Sequence, residues 1–150
     1  MKVVHLISGG ENGGDNTNIL YLLSNIYTPL DIHMVCFMEG PFAQEAREMG
    51  IPTTVLAGRN LLVVLKTLEG FIKDGGFQII HCHGARANMM GMLLRRRCAL
   101  PTVTTVHSDP RLDYMGRPIS RLTYGTINAI ALRRLDYRIG VSDAMVDTLI

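Results

Sequence analysis

Three short stretches of this sequence gather residue types that can hold phosphates, hydroxyls or metal ions. The first, Ser8-Gly9-Gly10-Glu11-Asn12-Gly13-Gly14, follows an apolar run and leads directly into a helical pattern. Four glycines within six positions let the backbone approach a ligand closely, and the helix N-terminus that follows offers free N–H groups to an anion. The spacing is neither G-x-G-x-x-G nor G-x-x-x-x-G-K-[S/T], so neither the dinucleotide fingerprint nor the P-loop is met. A tight strand-to-helix turn with no ligand accounts for the glycines equally well.

The second stretch is His81-Cys82-His83-Gly84-Ala85-Arg86-Ala87-Asn88. Strand alternation puts His81 and His83 on one face and Cys82 on the other, so the trio is no ready metal set, and a zinc site would need distant partners. His81 reads as a hydrogen-bonded core histidine. His83 falls at the strand end, where Gly84 frees the turn and a cleft is expected. Arg86 presents a charged fork suited to phosphate or carboxylate, or else a solvated charge at a helix start. The third stretch, Thr104-Thr105-Val106-His107-Ser108-Asp109-Pro110, puts His107 where an imidazole can bond a sugar hydroxyl or a leaving phosphate oxygen.

These loops need a scaffold that brings them together. Short β-branched runs recur at Lys2–Ser8, Ile32–Phe37, Thr53–Leu56, Gln78–Cys82, Thr102–Val106 and Tyr137–Val141. Between them the apolar spacing turns helical. A first helix starts near Gly14 or Asp15, with Asp15 and Asn16 available to cap it and Ile19, Leu22, Leu23 and Ile26 toward the sheet. Others cover Phe42–Met49, Asn60–Asp74 (Leu61, Leu65, Leu68 and Ile72 inward), Arg86–Arg97 and Pro118–Leu135 (Leu122, Ile127, Ile130, Ala131 and Leu135 inward). A last helix opens at Ser142-Asp143 and stops two turns later at Ile150, which suggests that more polypeptide follows. Alternating strand and helix predicts an α/β fold, a Rossmann-like three-layer sandwich around a mostly parallel sheet. In such sheets ligands gather beyond the carboxyl ends of the strands, the edge to which all three loops belong.

The 150 residues fit one domain, and a composition of 47% hydrophobic and 19% charged residues is that of a globular chain. A net charge of +2 argues against a general nucleic-acid binder. Three scattered cysteines, Cys36, Cys82 and Cys98, fit a reducing compartment better than a disulfide framework, which favours the cytoplasm. Runs such as Leu61–Leu65 fall far short of the ~20 apolar residues of a membrane span. Arg95-Arg96-Arg97 closes an otherwise apolar helix and is either a solvated, dipole-complementing terminus or a contact for anionic lipid at the inner face of a membrane.

In order along the chain, the Gly-rich first loop, His-Cys-His-Gly-Ala-Arg-Ala-Asn, Thr-Val-His-Ser-Asp and Val-Ser-Asp resemble bacterial family 4 glycosyltransferases. The resemblance spans the whole sequence. It implies the N-terminal, acceptor-side half of a GT-B-type enzyme that transfers a sugar from a nucleotide-sugar donor with retention. It also implies no cofactor, no required metal, and a sugar, lipid-linked or other small molecule as acceptor. Carried over residue by residue, Gly13 and Gly14 contact the donor and His107 lies beside the transferred sugar as the catalytic candidate, while His83, Arg86, Asn88 and Asp109 line the acceptor side. The family's C-terminal domain, with its Arg/Lys pair on the diphosphate, is absent from these 150 residues. The isolated chain is therefore expected to be inactive, and to self-associate through the face that domain would cover.

Three other readings compete. A nicotinamide-dinucleotide domain would use Glu39 as its ribose-binding acid, but the glycine spacing is wrong for it. A non-catalytic Rossmann-like binding module shares the fold. A metal protein would use His81, His83 and Cys82 and is not expected to hold stoichiometric metal.

Overall fold

The computed structural model describes residues 1–9, 14–26, 29–107, 119 and 121–149. Six strands, β1 (Lys2–Ile7), β2 (Asp31–Cys36), β3 (Thr53–Val55), β4 (Ile79–His83), β5 (Thr102–Val106) and β6 (Tyr137–Gly140), alternate with helices. The helices are α1 (Gly14–Ser24), α2 (Pro41–Glu48), α3 (Leu61–Asp74), α4 (Ala85–Cys98), α5 (Thr126–Arg134) and α6 (Asp143–Leu149). A π-helical segment, Arg121–Gly125, runs into α5. The sheet order is β3-β2-β1-β4-β5-β6 and every pairing is parallel. This is the Rossmann-like α/β architecture expected from the alternating pattern. The chain winds outward from β1 to β3, returns through α3 to β4, and winds out the other way, which makes the β1/β4 junction the topological switch point.

Alternation along the central strands builds two cores. Val4, Leu6, Val35, Phe37, Ile80 and Cys82 pack against Val64, Leu65, Leu68 and Ile72 of α3 and against Ala87, Met90 and Leu94 of α4. On the other face Ile7, Met34 and Cys36 meet Ile19, Leu20 and Leu23 of α1 and Phe42, Ala43 and Ala46 of α2. Burying a Leu or Ile side chain such as Leu68 or Ile72 contributes about 1.5–3 kcal/mol, so the α3 stripe is a principal anchor of the returning crossover. Asn60 starts α3, its side-chain oxygen accepting from the N–H groups of Leu62 at 3.0 Å and Val63 at 3.3 Å.

Three predicted stripes shift. Leu20 rather than Leu22 faces the sheet from α1, and Val64 replaces Leu61 on the inner face of α3. Leu122, Ile127 and Ile130 lie exposed, while Asn128, Ala131, Leu132 and Leu135 turn inward. Helical spacing allows several neighbouring stripes, and the angle at which each helix meets the sheet selects one of them.

Candidate functional site

Because all six strands are parallel, the loops after β1, β4 and β5 emerge on one edge of the sheet. Ile7 pairs with His83 across the switch point, and His83 pairs with Thr105, two residues before His107. His83 and His107 are thus brought together, their rings stacked with centroids 5.8 Å apart. The turn into α4 is made by Gly84 at φ +89°, a conformation that a side chain would strain. On the β1 side Gly9 has φ +81°, and a Cβ there would lie 2.9 Å from Cys36 Cβ and 3.1 Å from the Met38 carbonyl oxygen. The glycine lets the backbone at position 9 pass close to the end of β2. Gly14 opens α1, so its N-terminus points at the same edge. Gly13 and Asp109 lie outside the described residues, as do the side chains of Asp15 and Asn16.

Arg86 and Asn88 take different directions. The Arg86 guanidinium sits 5.3 Å from the centroid of the Phe37 ring. Phe37 in turn donates its N–H to the carbonyls of Ile7 and Ser8. This cation therefore stands beside the ends of β1 and β2. Asn88 is buried. Its amide oxygen accepts from the Thr104 hydroxyl at 2.6 Å and its nitrogen donates to Asn128 Oδ1 at 3.0 Å, which ties α4 to β5 and α5. An acceptor-lining role would need this side chain at the cleft, and the structure instead commits it to joining three elements of the core. Glu39 forms an exposed, two-pronged ion pair with Arg47 at 2.9 and 3.2 Å.

The sequence reading missed His5. The β1–β4 register sets His5 directly opposite His81, so three imidazoles cluster on one face of the sheet. Ring centroids are 4.9 Å apart for His5 and His81, 4.3 Å for His81 and His83, and 5.4 Å for His5 and His83. His5 Nδ1 and His83 Nε2 share a proton across 3.1 Å, and His81 Nε2 bonds the Thr105 hydroxyl at 2.8 Å. Burial, then repulsion from His81, pushes His5 down to about 3, and burial, then His107, pushes His81 to about 4. His83 is held well below the usual range first by burial and then by its three imidazole neighbours, so all three rings are neutral at pH 7. Cys82 points to the opposite face, as strand alternation requires, and its burial raises the thiol to about 12. The signal for His5 was its interruption of an apolar strand, legible once β1 and β4 are neighbours.

Two of the three arginines closing α4 have intramolecular partners. Arg95 forms an ion pair with Asp136 and donates to the Arg134 carbonyl at 2.9 Å, and Arg97 bonds Glu69 at 2.6 Å. Among the described residues no helix is long and apolar enough to cross a membrane.

The profile of the glycosyl transferase 4-like domain matches residues 30–150, most of the chain. The chain belongs to that family. No curated protein matches it. Solved structures similar to this glycosyl transferase 4-like domain include Anabaena HepE in complex with UDP, with a TM-score of 0.79 at 17% identity, covering 99% of this chain and 40% of that one. The lipopolysaccharide outer core galactosyltransferase WaaB in its apo form gives 0.66 at 14% identity, covering 99% and 42%. The UDP-GlcNAc 2-epimerase from Methanocaldococcus jannaschii gives 0.70 at 11% identity, covering 99% and 42%. The domain thus spans about 40% of the length of the structures it resembles, and shares the fold of GT-B glycosyltransferases.

Proposed function

We propose that this domain is the acceptor-side half of a retaining glycosyltransferase that uses a nucleoside-diphosphate sugar as donor and needs no cofactor. The observation that carries the reading is the meeting of His83 and His107 at the switch-point edge, which α1 also enters with its N-terminus. An imidazole held neutral, as that of His83 is, can hydrogen-bond a sugar hydroxyl without the charge that would draw a phosphate into the wrong position. The helix N-terminus and the backbone of the first loop, with Gly13 and Gly14, favour the negative diphosphate. A structural neighbour with UDP-glucose bound supports a donor of this type. Arg86, beside the ends of β1 and β2, and Asp109, which follows His107 in the sequence, are proposed to face the acceptor. The principal cations on the leaving diphosphate are proposed to come from a second domain, which also covers the exposed apolar residues of this one. Placement in the cytoplasm, with or without contact with the inner membrane surface, follows from the same reading.

The test is sugar transfer by the full-length enzyme from a panel of nucleotide sugars, with the anomeric configuration of the product read by NMR. Transfer with retention is expected; inversion, or epimerisation of the donor without transfer, refutes the reading. His107→Ala should lower turnover with the fold intact, since loss of one preorganised hydrogen bond to a developing charge costs up to about 10²–10³-fold. An unchanged rate removes His107 from the site. The isolated chain is expected to transfer no sugar.

A further inference from the structure

We propose that His5, His81 and His83 form a binding site for one divalent transition-metal ion of zinc type. Two ligands two residues apart on one strand, and a third opposite the first of them on the adjacent strand, form a compact triangle on one face of the sheet. Their ligand atoms all lie within 4.8 Å of one another. Zinc–imidazole bonds of about 2.0–2.1 Å in tetrahedral geometry set neighbouring nitrogens about 3.3–3.4 Å apart. His5 Nδ1 and His83 Nε2, at 3.1 Å, already have nearly that separation. The longest of the remaining separations, at most 4.8 Å, must shorten by about 1.5 Å for all three rings to bind one ion.

The chemistry of the set points the same way. All three rings are neutral, the form whose lone pair binds metal, and among the described residues no thiolate or carboxylate joins them. Three imidazole nitrogens select zinc, copper or nickel over magnesium or calcium. When the ion binds, it takes the place of the proton shared by His5 and His83. The donor ring then carries its proton on its other nitrogen, so both rings stay neutral. Thr105 holds one nitrogen of His81 and thereby fixes the ring, as outer-shell partners of metal-bound imidazoles do. Three ligands leave a fourth position for water or another small donor.

The experiment uses the chain purified without a polyhistidine tag and stripped of metal. Zinc titration followed by gel filtration and elemental analysis should find one ion per chain, and cobalt should give the strong visible absorption of a tetrahedral site. His5→Gln and His81→Gln should each weaken zinc binding by at least about 100-fold. His33→Ala should leave it unchanged, because His33 lies on the opposite face beside Phe71 and Phe77. Zinc should raise the melting temperature of the unsubstituted chain and of His33→Ala only. Substoichiometric zinc, a weak octahedral cobalt spectrum, or equal binding by His5→Gln and His33→Ala overturns the proposal. If the two glutamine chains fail to fold, the stoichiometry and cobalt spectrum of the unsubstituted chain decide it.

Discussion

Replacing Asn88 by Ala removes a side chain whose two polar atoms are both spent inside the protein. The Thr104 hydroxyl loses its acceptor at 2.6 Å and Asn128 Oδ1 loses its donor at 3.0 Å, and both residues are buried. Each orphaned group costs about 1–3 kcal/mol, so Asn88→Ala should lose about 2–5 kcal/mol. In a domain of this size that lowers the melting temperature by about 5–15 °C. Thr104→Val alone leaves the Asn88 oxygen unpartnered and should lose about 1–3 kcal/mol. The double substitution should cost less than the sum by about 1–2 kcal/mol, because the introduced valine has no hydroxyl to satisfy. Urea unfolding of the four chains, followed by circular dichroism, measures the cycle. Additivity to within about 0.5 kcal/mol, or an Asn88→Ala chain as stable as the original, refutes the account and returns Asn88 to the candidate ligand contacts.

Two further predictions test the packing and the imidazoles. A methyl group at Gly91 would overlap the Cys82 sulfur, whereas the Cys82 Cβ lies at 3.9 Å, an ordinary contact. Gly91→Ala should therefore destabilise the chain by about 1–3 kcal/mol, yet stabilise a Cys82→Ala chain by up to about 1 kcal/mol; the same sign in both backgrounds refutes the overlap. In the metal-free chain His5 and His81 have folded pKa values of about 3 and about 4, below the unfolded value near 6.5. The unfolded chain then binds protons first, so their contribution is full above pH 6.5 and is lost toward pH 4, at about 1.4 kcal/mol per pH unit for each group. The urea midpoint should fall between pH 6.5 and 5, and less steeply in His81→Gln; a flat profile over that range refutes the burial of neutral rings.

Local pattern determined most of the scaffold. β-branched runs with turn residues between them placed six strands to within a residue or two, and alternation put His81 and His83 on one face with Cys82 opposite, because both periodicities are properties of the backbone alone. The order of strands was not local. Only the β1–β4 pairing brings His5 to His81, residues far apart in the chain, and only the packing of α4 against β5 and α5 turns Asn88 inward to Thr104 and Asn128. A side chain's type and spacing state what it is able to bond. Which partner it meets depends on the crossovers that decide which strands and helices become neighbours, and here those crossovers gathered the imidazoles and withdrew Asn88 from the rim.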